Sequence, residues 1–262
     1  MLETALTVID ANRIYWPLSV RQIHYRLLNN PPLRHSSKPE SVYRNDRKSY
    51  GDLCDLLARA RLQDRLDWDA ITDETRPAQA ERGFRNPQEF IKSEVENFLR
   101  GYGRNYLQSQ AHYIQIVAEK TTLSGVLERV WQRYGVPYLI GRGYCSLQPR
   151  RQLVEDFLDS GKEELIILAL SDYDPDGEEI AHSFGRSLRD DFGIEKVRPI
   201  QVALTESQVR HFNLPPIMTA KQGSAHYERF VEAHGENVFE LEALQPAHLE
   251  RILCDAIDNV LE

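Results

Sequence analysis

From His112 onward the chain alternates short apolar runs with segments of helical period, and this alternation constrains the fold more than any other feature. The runs at 113–118, 136–140, 165–170 and 197–204 read as apolar strands. A fifth run lies at 238–241. Between the first two, Leu123, Val126, Leu127, Val130, Trp131 and Tyr134 share one helical face, and Gly135 stops the helix. A second helix is expected over 175–192, and a last one carries Leu249, Ile252, Leu253, Ile257, Val260 and Leu261. The pattern predicts an α/β domain with a mainly parallel sheet over residues 111–262.

The first third reads differently. Leu2, Ala5, Leu6 and Ile9 repeat at helical spacing; Ser19 is placed to N-cap a second helix with the stripe Val20, Ile23, His24, Leu27 and Leu28. After a polar loop, Tyr50, Leu53, Leu56, Leu57 and Ala60 mark a third helix, rich in arginine at Arg59, Arg61 and Arg65, and 68–71 reads as a short strand or wing. A mostly α, winged-helix-like DNA-binding domain over 1–80 is expected, then a connector over 81–110 with a helix at 87–99. Three-helix modules also serve protein contacts, so the helices alone leave both uses open.

The charge distribution bears on the partner. The net charge of −8 argues against a phosphate-rich ligand. Residues 1–85, however, hold 14 Lys+Arg against 12 Asp+Glu, a balance of +2, which leaves −10 for the remainder. A basic face in the first third and an acidic site in the rest are compatible with DNA. The sequence has no apolar run of the roughly 18 residues that a membrane span needs, and 1–13 lacks the pattern of a signal segment, so a cytoplasmic protein is expected. Cys54, Cys145 and Cys254 form no Cys-x-x-Cys pair, and idle thiols are expected.

In open α/β sheets ligands collect beyond the carboxyl ends of strands. There this chain places Ala118-Glu119-Lys120, Gly141-Arg142-Gly143-Tyr144, and Ser171-Asp172-Tyr173-Asp174-Pro175-Asp176-Gly177. Asp172 and Asp174 are two apart, so an extended backbone puts both carboxylates on one face. Hard oxygen ligands of this kind suit Mg²⁺. A bland reading stands beside it: a capped turn with acids favoured by the helix dipole, Gly177 at a positive φ and Glu119 simply solvated. Asp176 either helps hold a second ion or interacts with the helix N-terminus.

These three segments resemble, in order and spacing, the Toprim domain of the topoisomerase VI A subunit and the meiotic double-strand-break transesterase, in the free-standing, reduced form found in bacteria and phages. The resemblance implies that Glu119, Asp172 and Asp174, with Asp176 beside them, bind Mg²⁺ or Mn²⁺. It extends to Arg21-Gln22-Ile23-His24-Tyr25, which resembles the family's segment ending in the catalytic tyrosine. At 100° per residue, Arg21 falls near about 100° and Tyr25 near about 140°, both just off the apolar stripe of their helix. The implied activity is that of a type IIB topoisomerase A subunit, in which Tyr25, assisted by Arg21, with Glu119 or a metal hydroxide accepting its proton, forms a 5′-phosphotyrosyl link to double-stranded DNA. Cutting both strands implies a homodimer, and the resemblance implies that each tyrosine meets the partner chain's metal site. Arg44, Arg47, Lys48, Arg59, Arg61, Lys120, Arg142 and Arg150 are the candidate DNA contacts. The sequence has no Gly-x-x-x-x-Gly-Lys-Ser/Thr loop, so ATP-driven strand passage would require a separate B-type ATPase subunit. Two other readings remain: a Toprim nuclease that uses metal-activated water, and a non-catalytic DNA-binding protein.

Overall fold

The computed structural model describes residues 1–29, 33–35, 38–71, 86–98, 105–141, 147–216, 218–220 and 223–262. The N-terminal part comprises α1 (Leu2–Ala11), a 3₁₀ turn (Arg13–Tyr15), α2 (Val20–Asn29), the short strands β1 (Arg34–His35) and β2 (Lys38–Val42), α3 (Arg47–Leu62) and a 3₁₀ turn at Trp68–Ala70. Ser19 caps α2 as expected: its hydroxyl accepts from the Gln22 N–H at 3.1 Å while the Gln22 side chain accepts from the Ser19 N–H at 2.8 Å. Two elements differ from expectation. β1 and β2 form an antiparallel pair inside the loop that was read as polar and irregular. The strand or wing expected at 68–71 is instead a 3₁₀ turn, followed by a single parallel bridge from Ile71 to Leu18. Asp67 caps that turn by accepting from the Asp69 N–H, a local bond that competes with extended backbone.

After α4 (Pro87–Asn97), which reaches nearly the span expected, come β3 (His112–Ala118), α5 (Ser124–Tyr134), β4 (Tyr138–Ile140), α6 (Leu147–Asp159), β5 (Glu164–Leu170), α7 (Pro175–Asp190) and β6 (Val197–Ala203). Gly135 ends α5 at φ 69°, the left-handed conformation its lack of a Cβ permits. The chain continues through α8 (Glu206–His211), β7 (Met218–Thr219), α9 (Tyr227–His234), β8 (Asn237–Val238), a 3₁₀ turn (Leu241–Ala243) and α10 (Pro246–Asp258). β3 to β6 form a parallel sheet in the order β4-β3-β5-β6. The run at 238–241 does not join it; β8 pairs antiparallel with β7.

β5 shows why the parallel sheet is readable. Leu165 and Ile167 pack with Leu153, Phe157, Phe184 and Leu188 of α6 and α7 on one face. Ile166, Leu168 and Leu170 point the other way, into a core shared with Leu127, Val130, Leu253 and Ile257 of α5 and α10. Both faces are dry, so every position is apolar and the period-2 alternation disappears. Helices on both faces of a parallel sheet make this a Rossmann-like α/β unit. The second core runs on without a break into Ala5, Ile9, Ile23, Leu27, Leu53 and Leu57 of the N-terminal helices. Gly125 of α5 is a point of close approach, since a Cβ there would lie 2.3 Å from the Tyr15 carbonyl oxygen. Among the described residues no helix is long and apolar enough to cross a membrane.

Candidate functional site

The chain runs from β3 to β4 on one side and returns to β5 on the other, so the sheet order reverses between β3 and β5, where an open sheet leaves a crevice. Their last residues, Ala118 and Leu170, are in register, and the next residues carry the site. The Glu119 N–H donates to the Leu170 carbonyl at 2.9 Å, and the Asp172 N–H donates back to the Glu119 carboxylate at 3.2 Å. Asp174 caps α7, accepting from the Gly177 N–H at 2.6 Å, and Pro175 takes the first helical turn, where its missing N–H costs nothing. Asp176 accepts from the Ser224 hydroxyl at 2.7 Å.

Gly177 is required for space. It lies inside α7, and a Cβ there would meet the Asp172 carbonyl oxygen at 2.1 Å. Gly177→Ala must therefore push the Asp172 segment away from the helix. It is expected to cost about 1–3 kcal/mol and to weaken divalent-cation binding. Chemical denaturation and Mn²⁺ titration of the variant check both; unchanged stability would contradict the close approach.

Two acidic residues that the sequence reading missed complete the cluster. Glu240 and Glu242 lie on either side of the buried Leu241, and the Leu241 N–H donates to Asp172 Oδ1 at 2.9 Å. Tyr173 and Phe239 exchange a pair of backbone hydrogen bonds, at 2.9 and 3.0 Å, which fasten this segment to the Asp172 loop. Lys120 Nζ lies in the middle, 2.7 Å from Asp172 Oδ2, 2.7 Å from Glu242 Oε2 and 3.9 Å from Glu240 Oε2. The sequence signal was a pair of glutamates flanking Leu241 at the end of the run at 238–241.

Burial pushes the Asp172 carboxyl well above the usual carboxylate range; Lys120 opposes this, while Glu242 and Glu119 add to it. Glu119 and Glu240 are also raised, chiefly by burial. Burial works against the charge on Lys120, but Glu242, Asp172 and Glu240 outweigh it and hold the ammonium protonated.

α2 delivers Arg21 and Tyr25 to the same place. Arg21 binds Glu240 Oε1, and the Tyr25 hydroxyl donates to Glu240 Oε2 at 3.2 Å. Tyr25 is only 2% accessible, whereas helix geometry placed it just off the buried face. The 3₁₀ turn at Leu241–Ala243 packs against α2, and Glu240 just before it reaches the phenol. Burial and Glu240 raise the phenol pKa, and Arg21 opposes them. Arg21 stays half-exposed and lines two clefts. One, of about 260 Å³, is walled by Glu119, Lys120, Asp172, Asp174, Asp176 and Glu240. The other, of about 440 Å³, is walled by His24, Tyr25, Asn45, Asp46, Arg47 and Tyr50. His24 sits within a ring of partners, bonded to Tyr43 and Asn45.

The other candidate DNA contacts separate into groups. Arg44, Arg47, Lys48 and Arg59 are exposed, with Lys48 paired to Asp52 at 2.8 Å. Arg61 donates to the Ile71 carbonyl and lies over the Trp68 ring. Lys120 faces carboxylates instead of solvent, and Arg150 is buried against Phe184, because α6 turns it into the core. Arg142 lies outside the described residues.

Among the described residues no three or more His, Cys, Asp or Glu side chains are already drawn together around one point as a metal would require. The donor chemistry nonetheless fits a hard divalent cation: Glu119, Asp172 and Asp174 are oxygen donors in one cleft, and Glu119 and Asp172 are raised first by burial and then by neighbouring carboxylates, whose charge a cation would offset. Comparison of the chain with protein-family models, curated proteins and solved structures returns no match.

Proposed function

We propose that this protein cleaves and rejoins DNA by metal-dependent tyrosine transesterification, with Tyr25 as nucleophile and Glu119, Asp172 and Asp174 as the cation site. One observation carries the reading. Tyr25 and Arg21, from the N-terminal helices, meet through Glu240 the acidic cluster at the β3/β5 crevice, more than 90 residues away in sequence. The resemblance of both segments to the topoisomerase VI A subunit and the meiotic transesterase supports the same assignment, within which residues 1–80 would serve as a winged-helix-like DNA-binding domain.

A bound divalent cation would supply positive charge to the scissile phosphate. Glu119, Asp172 and Asp174 would hold it, and Lys120 would keep the surrounding carboxylates in place. Arg21, reaching both clefts, would orient a phosphate against the phenol. Exposed Arg44, Arg47 and Lys48 would follow the backbone on either side. Strand passage would need a separate ATPase subunit, and double-strand cutting a second copy of the chain.

The test is covalent trapping. Supercoiled DNA, protein and Mg²⁺ are combined and quenched with denaturant, and DNA bound to protein is measured. Adducts are expected with Mg²⁺ or Mn²⁺ and not with a chelator. Asp174→Asn, which preserves helix capping, is expected to remove them through loss of charge alone. Failure of Mn²⁺ binding to depend on Asp172 and Asp174 would defeat every metal-dependent reading. The burial of Tyr25 favours a second reading, a nuclease in which water would replace the phenol as nucleophile and Glu119, Asp172 and Asp174 would hold the cation that activates it; cleavage without any protein-linked DNA would support it.

A further inference from the structure

Resting on the transesterase reading, we infer that Glu240 is a catalytic residue: the base that takes the Tyr25 proton as the phenol attacks the phosphate. The geometry selects it. Glu240 Oε2 accepts from the Tyr25 hydroxyl at 3.2 Å, while its other oxygen is bound by Arg21. Glu119, the base expected from sequence, instead accepts from the Asp172 N–H at 3.2 Å. Glu240 is also held from behind. The Leu241 N–H is bonded to Asp172, and Phe239 is paired with Tyr173, so the residues on both sides are fastened to the acidic loop. A base fixed this way needs little rearrangement when the proton moves.

The step balances without any redox partner. The Tyr25 O–H bond breaks and its proton passes to Glu240 Oε2 as the Tyr25 oxygen bonds to phosphorus. The bond from phosphorus to the 3′-oxygen breaks, and that oxygen takes a proton from water. In rejoining, the departing phenolate recovers its proton from Glu240. Tyr25 also lines the 440 Å³ cleft with Arg21, Asn45, Arg47 and Tyr50, a cleft that Glu240 does not line.

The groups facing Glu240 are Arg21 and Tyr25 from α2, Lys120 from the end of β3 and Glu242 from its own turn. The cations favour its ionised form, whereas burial and Glu242 oppose it, so the carboxyl titrates above the usual range. That suits a base working near neutral pH.

The experiment measures the rate of covalent adduct formation against pH, with Mg²⁺, for wild type, Glu240→Gln, Glu240→Asp, Glu240→Ala and Tyr25→Phe. Wild-type adduct formation should rise with pH as the carboxylate forms. Glu240→Gln, which keeps an acceptor but cannot take a proton, should be slower by about 10²–10⁴-fold and lose the acidic limb of the profile. Glu240→Asp should recover part of the rate, and added acetate should partly restore Glu240→Ala, neither of which a merely structural role predicts. If Glu240→Gln does not fold, the aspartate variant's pH profile carries the test, and a profile identical to wild type would overturn the inference. A slower Glu240→Gln with an unaltered profile would also overturn it. If Tyr25→Phe forms no adduct while Glu240→Gln behaves as wild type, the base assignment falls and the transesterase reading stands. If Tyr25→Phe still forms adduct, the reading itself falls.

Discussion

Tyr25→Phe is expected to yield no protein-linked DNA while leaving the fold, Mn²⁺ binding and DNA binding intact. The substitution removes one oxygen from a fully packed ring. The ring keeps its edge-on contact with His24 and its place in the core that runs from α1 to α10. What is lost is one hydrogen bond to Glu240, whose carboxylate retains Arg21 on one oxygen and Lys120 beyond the other. Losing such a bond costs on the order of 1 kcal/mol, a small part of the roughly 5–15 kcal/mol that holds a typical native protein together. Urea denaturation of the variant should therefore follow the wild type closely. A loss of adducts alongside near-normal stability isolates the hydroxyl's chemistry from its packing. Persistence of adducts would place the nucleophile elsewhere, and retained nicking without adducts would assign the attack to water.

The legible parts of this molecule are those whose sequence pattern has a single physical cause. β3 and β5 are largely buried on both faces, so they read as predominantly apolar runs, and the acids lie where such strands end. α5 was legible because Gly135 stops a strong apolar stripe, and α7 because Asp174 and Pro175 mark a helix start. The misses share a different cause: the deciding contact comes from far along the chain. Helix geometry put Tyr25 at the margin of the α2 stripe and could not anticipate that residues 241–243 pack against α2 and that Glu240 reaches the phenol. Glu240 and Glu242 looked like the end of a strand, because nothing local says that Leu241 will donate to Asp172. Gly177 was read as a residue of positive φ, yet the glycine is needed because the Asp172 carbonyl lies where a side chain would begin. Arg150 is expected from its place near the strand ends to touch DNA, whereas the fold buries it over Phe184 of α7.

Lys120→Met is expected to be the most destabilising single change near the site, and its pH dependence should reveal why. Methionine preserves much of the lysine stem but removes the ammonium that lies 2.7 Å from both Asp172 and Glu242. The carboxylates then remain buried without their main counter-charge, a situation that typically costs about 3–5 kcal/mol. Asp172 and Glu240 already titrate above the ordinary range, and losing Lys120 raises them further. A carboxyl raised in the folded state contributes stability that is present below the unfolded value of about 4 and lost as pH rises through the folded value. The deficit of Lys120→Met should therefore be modest near pH 5 and grow steadily towards pH 8. Divalent cations should partly reverse it, since an ion that binds only the folded state at about 100 times its Kd adds roughly 2.7 kcal/mol. Urea denaturation at both pH values, with Mg²⁺ and with a chelator, measures all of this. A deficit equal at the two pH values would mean that the lysine matters for its packing rather than its charge. A pH-dependent deficit indifferent to Mg²⁺ would mean that Lys120 serves the carboxylates in a way no metal ion reproduces, which would count against the cleft as a cation site.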